Sequence, residues 1–463
     1  PSKRPGPEFF MIHIPEEHPI RQQVLAIPEH NLNLALGSDY MGEDKKGFLR
    51  QAMWAADRMG MLGLHSGTKI VHVRDQQGKL KKIGVFLFGL SATGKSTWSC
   101  HQLGLDYKKG EMTYVTQDDI AFLKKDGSAL GSENNFFVKT DVEKKYQEAM
   151  YNSLIDKTAL YENVMIKANG DPDFLDESLT ANGRAIVQRK KLCVEIGGKK
   201  VPIFSKSINL PPLDELDGLI FAFITRRNTI MGFSQELTPE QAVLAYLWGE
   251  STHSFASQPA KAGESVRIVG TDPFIIGSRA EKVNRFYEII MTLVNNHPGK
   301  VKFFQYNTGG MGEIIETHEE NGKEVKQMIQ KVNRVPINLM AQIQRGDLRE
   351  TNIYEKGPLG TKEITLAEGV ALDDWNVRRF YSQEQVDRYI TELVEGRKIF
   401  TEEISNEGLR SEILFAAERS YNIDKNRKRK GVSLSDGEPI EEKTRETWDT
   451  KSRPRRDGFR RSR

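Results

Sequence analysis

Residues 83–97 of the chain read Ile-Gly-Val-Phe-Leu-Phe-Gly-Leu-Ser-Ala-Thr-Gly-Lys-Ser-Thr. The apolar run from Val85 to Phe88 predicts a strand, and the residues from Lys95 onward predict the first turn of a helix. Residues 89–96 match the pattern G-x-x-x-x-G-K-[ST], in which backbone N–H groups hold phosphates, the lysine reaches the β- and γ-phosphates, and the hydroxyl binds Mg²⁺. An ordinary strand–turn–helix is the alternative, but this context is the one that the motif requires. The stretch therefore predicts a nucleotide-binding loop in an α/β domain.

The composition is that of a globular protein with a large core. The chain has 463 residues, of which 38% are hydrophobic, and this length predicts one large domain or two ordinary ones. No stretch approaches the ~18 consecutive apolar residues of a membrane helix, and no signal peptide is expected behind Pro1. Because only Cys100 and Cys193 are present, no disulfide framework is expected, which favours a reducing, cytoplasmic location. A start on proline is consistent with a fragment or a processed product.

The charge is unevenly distributed along the chain. The net charge is +3, yet residues 425–463 carry fourteen Lys and Arg against seven Asp and Glu. This tail has too few apolar residues to offset the entropy of ordering, so it is predicted to be disordered. A basic tail can bind nucleic acid or an acidic partner, and a solvated, solubilising tail is the simpler alternative.

The remaining pattern predicts a mixture of helices and strands without internal repeats. The segment 218–225 is continuously apolar, as expected of a fully buried strand. Thr238, Pro239 and Gln241 together predict a helix start with a capping box. Further strands are predicted at 9–14, 32–36, 70–73, 80–85, 112–116, 132–140 and 301–306, and further helices at 48–59, 143–155, 280–295, 323–332, 385–395 and 406–419.

Several residues near the phosphate loop in sequence are candidates for chemistry. Asp118 and Asp119 follow a predicted strand, where an acidic ligand for the metal of a nucleotide belongs. A lysine pair and a histidine lie upstream, and a guanidinium lies on a downstream loop. Each has a simpler explanation on its own: a solvated surface, a hydrogen-bonded core histidine, or a turn. Their order along the chain favours function, and the four upstream and downstream candidates are Lys45, Lys46, His65 and Arg184.

That order resembles the ATP-type phosphoenolpyruvate carboxykinase family. Residues 40–47 are similar to its Tyr-x-Gly-Glu-x-Lys-Lys-Gly segment, and residues 88–97 are similar to its Phe-Gly-Leu-Ser-Gly-Thr-Gly-Lys-Thr-Thr loop. The loop is far more specific than a general phosphate loop. The match covers roughly residues 37–310, and its other segments are 64–66, 117–119, 133–140, 162–164, 178–184, 237–242 and 307–309.

The resemblance implies a role for each matching position. Lys46, His65 and Asp119 would bind Mn²⁺, with Lys46 as a neutral amine beside the dication. Ser96 and Asp118 would serve Mg²⁺, and Tyr40 would contact the substrate. Catalysis would involve Lys45, Lys46, Ser91, Lys95 and Arg184, and the nucleotide would be held by Gly89, Leu90, Ser91, Ala92, Thr93, Gly94, Lys95, Ser96, Thr97, Lys139 and Glu162.

The chain also departs from the family pattern. Ala92 replaces a loop glycine, Gln117 replaces the glycine before Asp118, and Ile120 replaces an acid. Asn134 and Asn135 stand where the family has two glycines. The lid sequence expected near residues 249–256 is absent, and so is the Gly-Arg-Ser-Pro-x-Asp-Lys segment, whose arginine binds the substrate carboxylate. The chain is thus predicted to be either a fragment or a divergent relative.

These observations lead to one main hypothesis and two alternatives. The predicted fold is the α/β carboxykinase architecture, with the end of an N-terminal domain at 1–60, a P-loop catalytic domain at 61–424 and a disordered tail at 425–463. The predicted function is conversion of oxaloacetate and ATP to phosphoenolpyruvate, ADP and CO₂, with Mg²⁺ and Mn²⁺ and without a membrane partner. The alternatives are a phosphotransferase with another acceptor and a silent nucleotide-binding protein whose tail binds nucleic acid. The oligomeric state is left open.

Overall fold

A computed structural model describes residues 8–16, 21–90, 93–180, 182–253, 261–320 and 323–423. The segment Pro1–Lys425 is one compact unit. The predicted disordered tail, residues 425–463, lies outside the described residues.

The described residues form eight α-helices and many short strands. The helices are α1 (Gly42–Arg58), α2 (Lys95–Cys100), α3 (Glu148–Leu154), α4 (Pro239–Trp248), α5 (Arg279–Asn296), α6 (Ile337–Arg349), α7 (Gln383–Ser405) and α8 (Ser411–Tyr421). The strands are β1 (Phe10–Ile14), β2 (Gln23–Ile27), β3 (Leu32–Leu36), β4 (Leu62–Arg74), β5 (Leu80–Gly89), β6 (Met112–Gln117), β7 (Ile120–Leu123), β8 (Ala129–Gly131), β9 (Asn135–Lys139), β10 (Leu160–Glu162), β11 (Met165–Ile166), β12 (Pro172–Asp173), β13 (Arg184–Gln188), β14 (Cys193–Ile196), β15 (Lys199–Pro202), β16 (Gly218–Thr225), β17 (Ser234–Glu236), β18 (Glu250–Thr252), β19 (Ser265–Arg267), β20 (Val301–Asn307), β21 (Gly310–Met311), β22 (Ile314–Glu320), β23 (Lys323–Gln330), β24 (Asn333–Arg334), β25 (Ile353–Lys356), β26 (Lys362–Ala367) and β27 (Val370–Ala371).

A mixed sheet of eleven strands is the centre of the fold. Its main order is β25-β26-β17-β20-β16-β5-β4-β7-β8, with β27 paired to β26 and β6 paired to β4. The central strands β5, β16 and β20 are parallel. Every residue of β16 is buried, which confirms the prediction of a fully buried strand at 218–225.

Helices cover both faces of this sheet. On one face, α4, α5 and α8 pack on Phe86, Phe221 and neighbouring apolar residues. Phe86 and Phe221 stack with ring centroids 4.9 Å apart, and Phe286 of α5 meets Phe221 edge to face. On the other face, Trp98 of α2 and Met340 of α6 pack on the same central strands. The sheet is therefore buried between two apolar layers.

Among the described residues, two three-stranded sheets and five two-stranded sheets lie outside the large one, and the three-stranded sheets bear on the site. The first has the order β1-β3-β2 and packs against α1. The second has the order β10-β13-β9, and its antiparallel register places Arg184 opposite both Lys139 and Glu162.

A buried ion cluster ties several elements together. Glu250, the first residue of β18, accepts from Arg227 Nη2 at 3.0 Å and from Arg397 of α7, and Arg267 Nε lies 3.5 Å from it. Burial opposes ionisation of Glu250, but Arg397 and Arg227 outweigh it and lower the pKa of this carboxyl.

The predicted capping box of α4 is confirmed. Thr238 Oγ1 accepts from Gln241 N, and the Gln241 side chain accepts from Thr238 N. Pro239 occupies the first helical position, where a missing N–H costs nothing. Residues 238–241 therefore define the start of this helix.

One predicted helix is wrong. Residues 323–332 were expected to be helical, but Lys323–Gln330 is strand β23, paired antiparallel with β22. Cross-strand partners such as Met328 with Ile315 override the helical pattern. The helix expected at 143–155 is shorter than predicted, because α3 begins only at Glu148. Among the described residues, no helix has the length and apolar character needed to cross a membrane.

Candidate active site

The site begins where β6 gives way to β7 beside the long strand β4. His65 of β4 pairs with Ile120 of β7, and Thr68 pairs with Gln117 of β6. Asp118 and Asp119 therefore cross β4 at the break between these strands. Gly67 permits the close approach, because a Cβ there would lie 3.2 Å from the Asp118 carbonyl oxygen and 2.5 Å from Ser99 Oγ. The carboxylates thus face the end of β5 that carries the phosphate loop.

Asp119 brings together three of the predicted site residues. Its Oδ2 accepts from Lys45 Nζ at 2.9 Å, and its Oδ1 accepts from Lys95 Nζ at 3.0 Å. His65 Nε2 lies 3.2 Å from the same Oδ1. Lys45 also pairs with Glu133 Oε1 at 3.0 Å. A single carboxylate is therefore contacted by two lysine ammonium groups and one imidazole.

The charges of this cluster shift its acid–base properties. Burial opposes ionisation of Asp119, but Lys95 and Lys45 outweigh it and hold the pKa of this carboxyl well below its usual range. Burial would lower the pKa of Lys45, but Asp119 and Glu133 raise it instead. Burial raises the pKa of Glu133 to about 7 despite Lys45. The geometry thus favours the ionised form of Asp119 and places the pKa of Glu133 close to neutral pH.

The described part of the predicted phosphate loop lies against these carboxylates. Ser96 Oγ donates to Asp118 Oδ2 at 2.9 Å, while Asp118 Oδ1 is buried without a hydrogen-bond partner among the described residues. A hydroxyl beside an unpartnered carboxylate oxygen suits a hard divalent cation such as Mg²⁺. Gly94 has φ +96°, a left-handed conformation that glycine adopts without strain, directly before Lys95.

Hydrogen bonds from neighbouring segments hold both the loop and the helix α2 that follows it. Thr308 Oγ1 donates to the Thr93 carbonyl at 2.6 Å, and Thr93 N donates to the Leu90 carbonyl at 3.2 Å. Behind α2, the buried Lys69 Nζ donates to the Trp98 carbonyl at 2.6 Å. Burial lowers the pKa of Lys69 to about 7.

The ring of His65 is oriented by a loop far away in sequence. Its Nδ1 bonds the carbonyl of Thr271, whose hydroxyl accepts from Gly89 N at 3.2 Å. Thr271 has φ +57°, which is unusual for a β-branched residue. Because Nδ1 is engaged with a carbonyl, Nε2 is the nitrogen left to bind a metal.

Lys46 is placed differently from the other proposed Mn²⁺ ligands. Its ammonium donates to Glu43 Oε1 at 3.0 Å and lies over the rings of Tyr40 and Phe274 at 4.7 and 5.8 Å. His65 meets the same Phe274 ring, with centroids 5.8 Å apart. Lys46 would therefore have to leave Glu43 to join His65 and Asp119 around one metal. Among the described residues, no three His, Cys, Asp or Glu side chains are assembled for a metal ion.

The small sheet β10-β13-β9 carries the remaining candidates in one row. Lys139, Arg184 and Glu162 are neighbours across its three strands. Phe137 connects this row to the cluster, because the Arg184 guanidinium lies 5.8 Å and the Lys45 ammonium 5.7 Å from its ring centroid. Tyr40 lies 6.0 Å from the same ring. Burial raises the pKa of Tyr40, while Arg184 opposes the rise.

Glu162 also fixes the start of α1. Its Oε1 accepts from Met41 N at 2.7 Å, and its Oε2 is buried without a partner in the described part of the chain. Thr97 follows Ser96 within α2, whereas Ser91 and Ala92 lie outside the described residues.

Some site residues were missed by sequence reasoning. Glu133 lies in a segment that carried the resemblance, but its role as a partner of Lys45 was not predicted. Asp272 is buried beside His65, and its Oδ2 has no partner among the described side chains. Phe137 and Phe274 lie under the cationic side chains. Glu133 and Phe137 had a sequence signal, because both lie in the matching segment 133–140, whereas Asp272 and Phe274 belong to a segment without a motif.

The fold and the site define a class of α/β proteins in which lysines and paired carboxylates meet at the edge of a mixed sheet. The model of one such family, phosphoenolpyruvate carboxykinase of the ATP type, matches residues 6–340. The chain belongs to this family.

Curated relatives support the assignment. The chain is 36% identical over 267 residues to a phosphoenolpyruvate carboxykinase (ATP) of Aeropyrum pernix, covering 58% of this chain and 50% of that protein. It is 28% identical over 191 residues to phosphoenolpyruvate carboxykinase (ATP) 1 of Urochloa panicoides, and this alignment covers 39% of this chain and 28% of that protein. It is 29% identical over 172 residues to a phosphoenolpyruvate carboxykinase (ATP) of Christiangramia forsetii, and this alignment covers 37% of this chain and 29% of that protein. The alignments thus span half or less of each of these relatives.

Proposed function

We propose that this chain carries out ATP-dependent phosphoenolpyruvate carboxykinase chemistry, converting oxaloacetate and ATP to phosphoenolpyruvate, ADP and CO₂. The observation that carries the proposal is the shared carboxylate of Asp119, which holds Lys45, Lys95 and His65 within hydrogen-bonding range. Phosphoryl transfer depends on positioning and on stabilising negative charge, and this cluster offers cations for both.

The chemistry divides between bond cleavage and phosphoryl transfer. Loss of CO₂ from oxaloacetate leaves its electron pair as an enolate, whose oxygen attacks the γ-phosphorus of ATP while ADP departs. Lys95 would exchange Asp119 for phosphate oxygens, and Lys45 and Arg184 would offset the charge on the transferred group. Ser91 would lie near the reacting oxygens, and Tyr40 would contact the oxo acid.

Two divalent ions complete the proposal. Ser96 and Asp118 would hold Mg²⁺, and His65, Asp119 and Lys46 would hold Mn²⁺, with Lys46 released from Glu43. When bound, such ions neutralise phosphate charge and polarise the oxo group of the substrate. The fit rests on the unpartnered Asp118 oxygen and on His65 Nε2, which faces Asp119 while Nδ1 is engaged by the Thr271 carbonyl.

The remaining assignments rest on the family likeness and on composition. Residues 89–97 would form the P-loop, and Lys139 and Glu162 would face the sugar or base of the nucleotide. Residues 1–60 would be the end of an N-terminal domain, residues 61–424 the catalytic domain and residues 425–463 a basic tail. The two free cysteines favour a cytoplasmic location.

The test is a coupled assay of phosphoenolpyruvate formation from oxaloacetate and ATP with Mg²⁺ and Mn²⁺. The wild-type chain is expected to turn over, and Lys46→Ala is expected to lose turnover. Lys108→Ala, an exposed lysine away from the site, is the matched control and should keep it. ATP hydrolysis without phosphoenolpyruvate would contradict the proposal and favour a phosphotransferase with another acceptor.

A further inference from the structure

We propose that Arg50 binds the carboxylate of the oxo-acid substrate that lies farther from the metal site. This inference rests on the carboxykinase function proposed above and names a substrate contact for it. Arg50 belongs to α1 and is outside the segments that carried the family resemblance.

Arg50 shares one face of α1 with two charged residues. Glu43, Lys46 and Arg50 are separated by three and four positions, a spacing that brings side chains together on a helix. Lys46 Nζ donates to Glu43 Oε1 at 3.0 Å, and Arg50 Nη2 and Nη1 lie 3.4 and 3.5 Å from Glu43 Oε2. Two cations thus share one carboxylate, which leaves a positive charge for an anion.

Phe274 places this charge beside the metal end of the site. The Arg50 guanidinium lies 5.3 Å and the Lys46 ammonium 5.8 Å from the Phe274 ring centroid. The His65 ring meets the same Phe274 ring at 5.8 Å, and His65 Nε2 faces Asp119. A short molecule bound at His65 and Asp119 can therefore extend past Phe274 toward Arg50.

The Arg50 guanidinium is available for a ligand. Its two contacts with Glu43 are at the outer limit of hydrogen-bond length and converge on a single oxygen. A guanidinium has five N–H donors in a planar fork that matches a carboxylate with two parallel bonds. The side chain is only 16% exposed, so water screens such a pair less than it would at the surface.

The geometry selects a small dicarboxylate over a monocarboxylate. One end of the molecule would lie at the His65 and Asp119 side, and the other end would pair with Arg50. A molecule with only the first carboxylate would leave Arg50 with Glu43 alone. Oxaloacetate has the required two carboxylates, so Arg50 would discriminate for it.

The test compares the kinetic constants of Arg50→Ala, Arg50→Lys and wild type. In Arg50→Ala, we expect the KM for oxaloacetate to rise about tenfold or more, as the loss of a charged hydrogen-bonded pair implies. The KM for ATP should stay within about twofold, since the phosphate loop is not touched. Arg50→Lys should recover part of the loss, because it restores charge without the fork. Arg58→Ala, an exposed arginine at the end of the same helix, is the matched control.

Glu43→Gln provides a measurement in the opposite direction if Arg50→Ala does not fold. Removing the competing carboxylate frees the guanidinium, so the KM for oxaloacetate should fall while the KM for ATP is unchanged. Because Glu43→Gln also releases Lys46, the same measurement is made in the double variant Glu43→Gln, Arg50→Gln; a fall that persists there comes from Lys46 and overturns the role of Arg50.

The outcomes separate this inference from the function on which it rests. An active wild type with equal oxaloacetate KM in Arg50→Ala overturns the role of Arg50 and leaves the carboxykinase proposal standing. An inactive wild type overturns the carboxykinase proposal, and calorimetric titration with L-malate then decides the inference. Malate binding that is lost in Arg50→Ala supports the dicarboxylate site, whereas absent or unchanged binding overturns it.

Discussion

Lys95 makes its only side-chain hydrogen bond among the described residues to Asp119, at 3.0 Å. A nucleotide phosphate would take the place of that carboxylate. In the proposed mechanism, the lysine would therefore bind phosphate, and in the structure it helps to keep Asp119 ionised.

Replacing Lys95 by alanine should abolish turnover, with a loss of about a thousandfold or more, because a cation that stabilises the transition state is removed. Titration with ATP should show weaker binding in the same variant. The melting temperature should change little, and Lys108→Ala should match wild type in both assays. Wild-type rates in Lys95→Ala would exclude residues 89–96 as the phosphate loop.

His65 and Asp119 should determine affinity for Mn²⁺. His65→Ala or Asp119→Asn is expected to weaken Mn²⁺ binding by about tenfold to a hundredfold, the range for disturbed metal sites. The measurement is the electron paramagnetic resonance signal of free Mn²⁺ during titration, which does not require activity. His72→Ala, on the same strand β4, serves as the control and should bind Mn²⁺ like wild type. Equal affinity in all three variants would remove these residues from the metal site.

At the scale of elements, α6 is tied to the sheet through a buried carboxylate. Asp347 accepts from Tyr306 of β20 at 2.9 Å and from Tyr354 of β25 at 2.7 Å. Burial raises the pKa of Asp347 from 3.8 to about 7, although the Tyr354 bond opposes the rise. Between these two values the folded state holds a proton that the unfolded chain has released. The free energy of unfolding therefore falls as pH rises through this window.

Asp347→Asn should remove that contribution. Relative to wild type, the variant should become more stable between pH 4 and pH 7, because asparagine does not ionise. Urea denaturation at pH 4, 5, 6, 7 and 8 measures the difference. A constant difference across this range would mean that Asp347 titrates normally in the folded protein.

Elements were predictable where local signals and burial agree. The continuous apolar run of β16 and the capping residues of α4 are encoded within their own segments. In contrast, residues 323–330 carry charges and amides that fit a helix as well as a strand, and pairing with β22 decides between them. That pairing is a tertiary contact, so no local pattern contains it.

The site residues also divide into those that a local motif predicts and those that only the tertiary structure brings to the site. Lys45, Lys95 and Asp119 belong to motifs, and the structure brings them together. Asp272 and Phe274 reach the site on the segment that follows Thr271. Thr271 has a left-handed backbone conformation that no sequence motif predicts. Gln117, a departure from the family pattern, bonds both backbone groups of Glu133 and so positions that acid beside Lys45.

At the scale of the whole molecule, the Glu250 cluster joins the sheet edge after β16 to α7. Glu250→Gln would leave the buried guanidinium groups of Arg227 and Arg397, and the partly buried one of Arg267, without their shared negative charge. We expect destabilisation of about 3–5 kcal/mol, as for breaking a buried ion pair. Chemical denaturation measures it, and Glu264→Gln, which removes the exposed partner of Lys326, should cost at most about 1 kcal/mol. Equal midpoints for the two variants would show that the cluster is energetically neutral.

Trp98 lies one turn after Lys95, is buried, and gives its carbonyl to Lys69. The indole packs against Gly94, where an added Cβ would be 3.4 Å away. This indole is therefore a built-in optical reporter: when phosphates draw Lys95 away from Asp119, its emission should change in wavelength and intensity. Stopped-flow fluorescence could therefore follow phosphate binding at the loop in real time without a labelled nucleotide. Trp98→Phe would remove that signal and is the control.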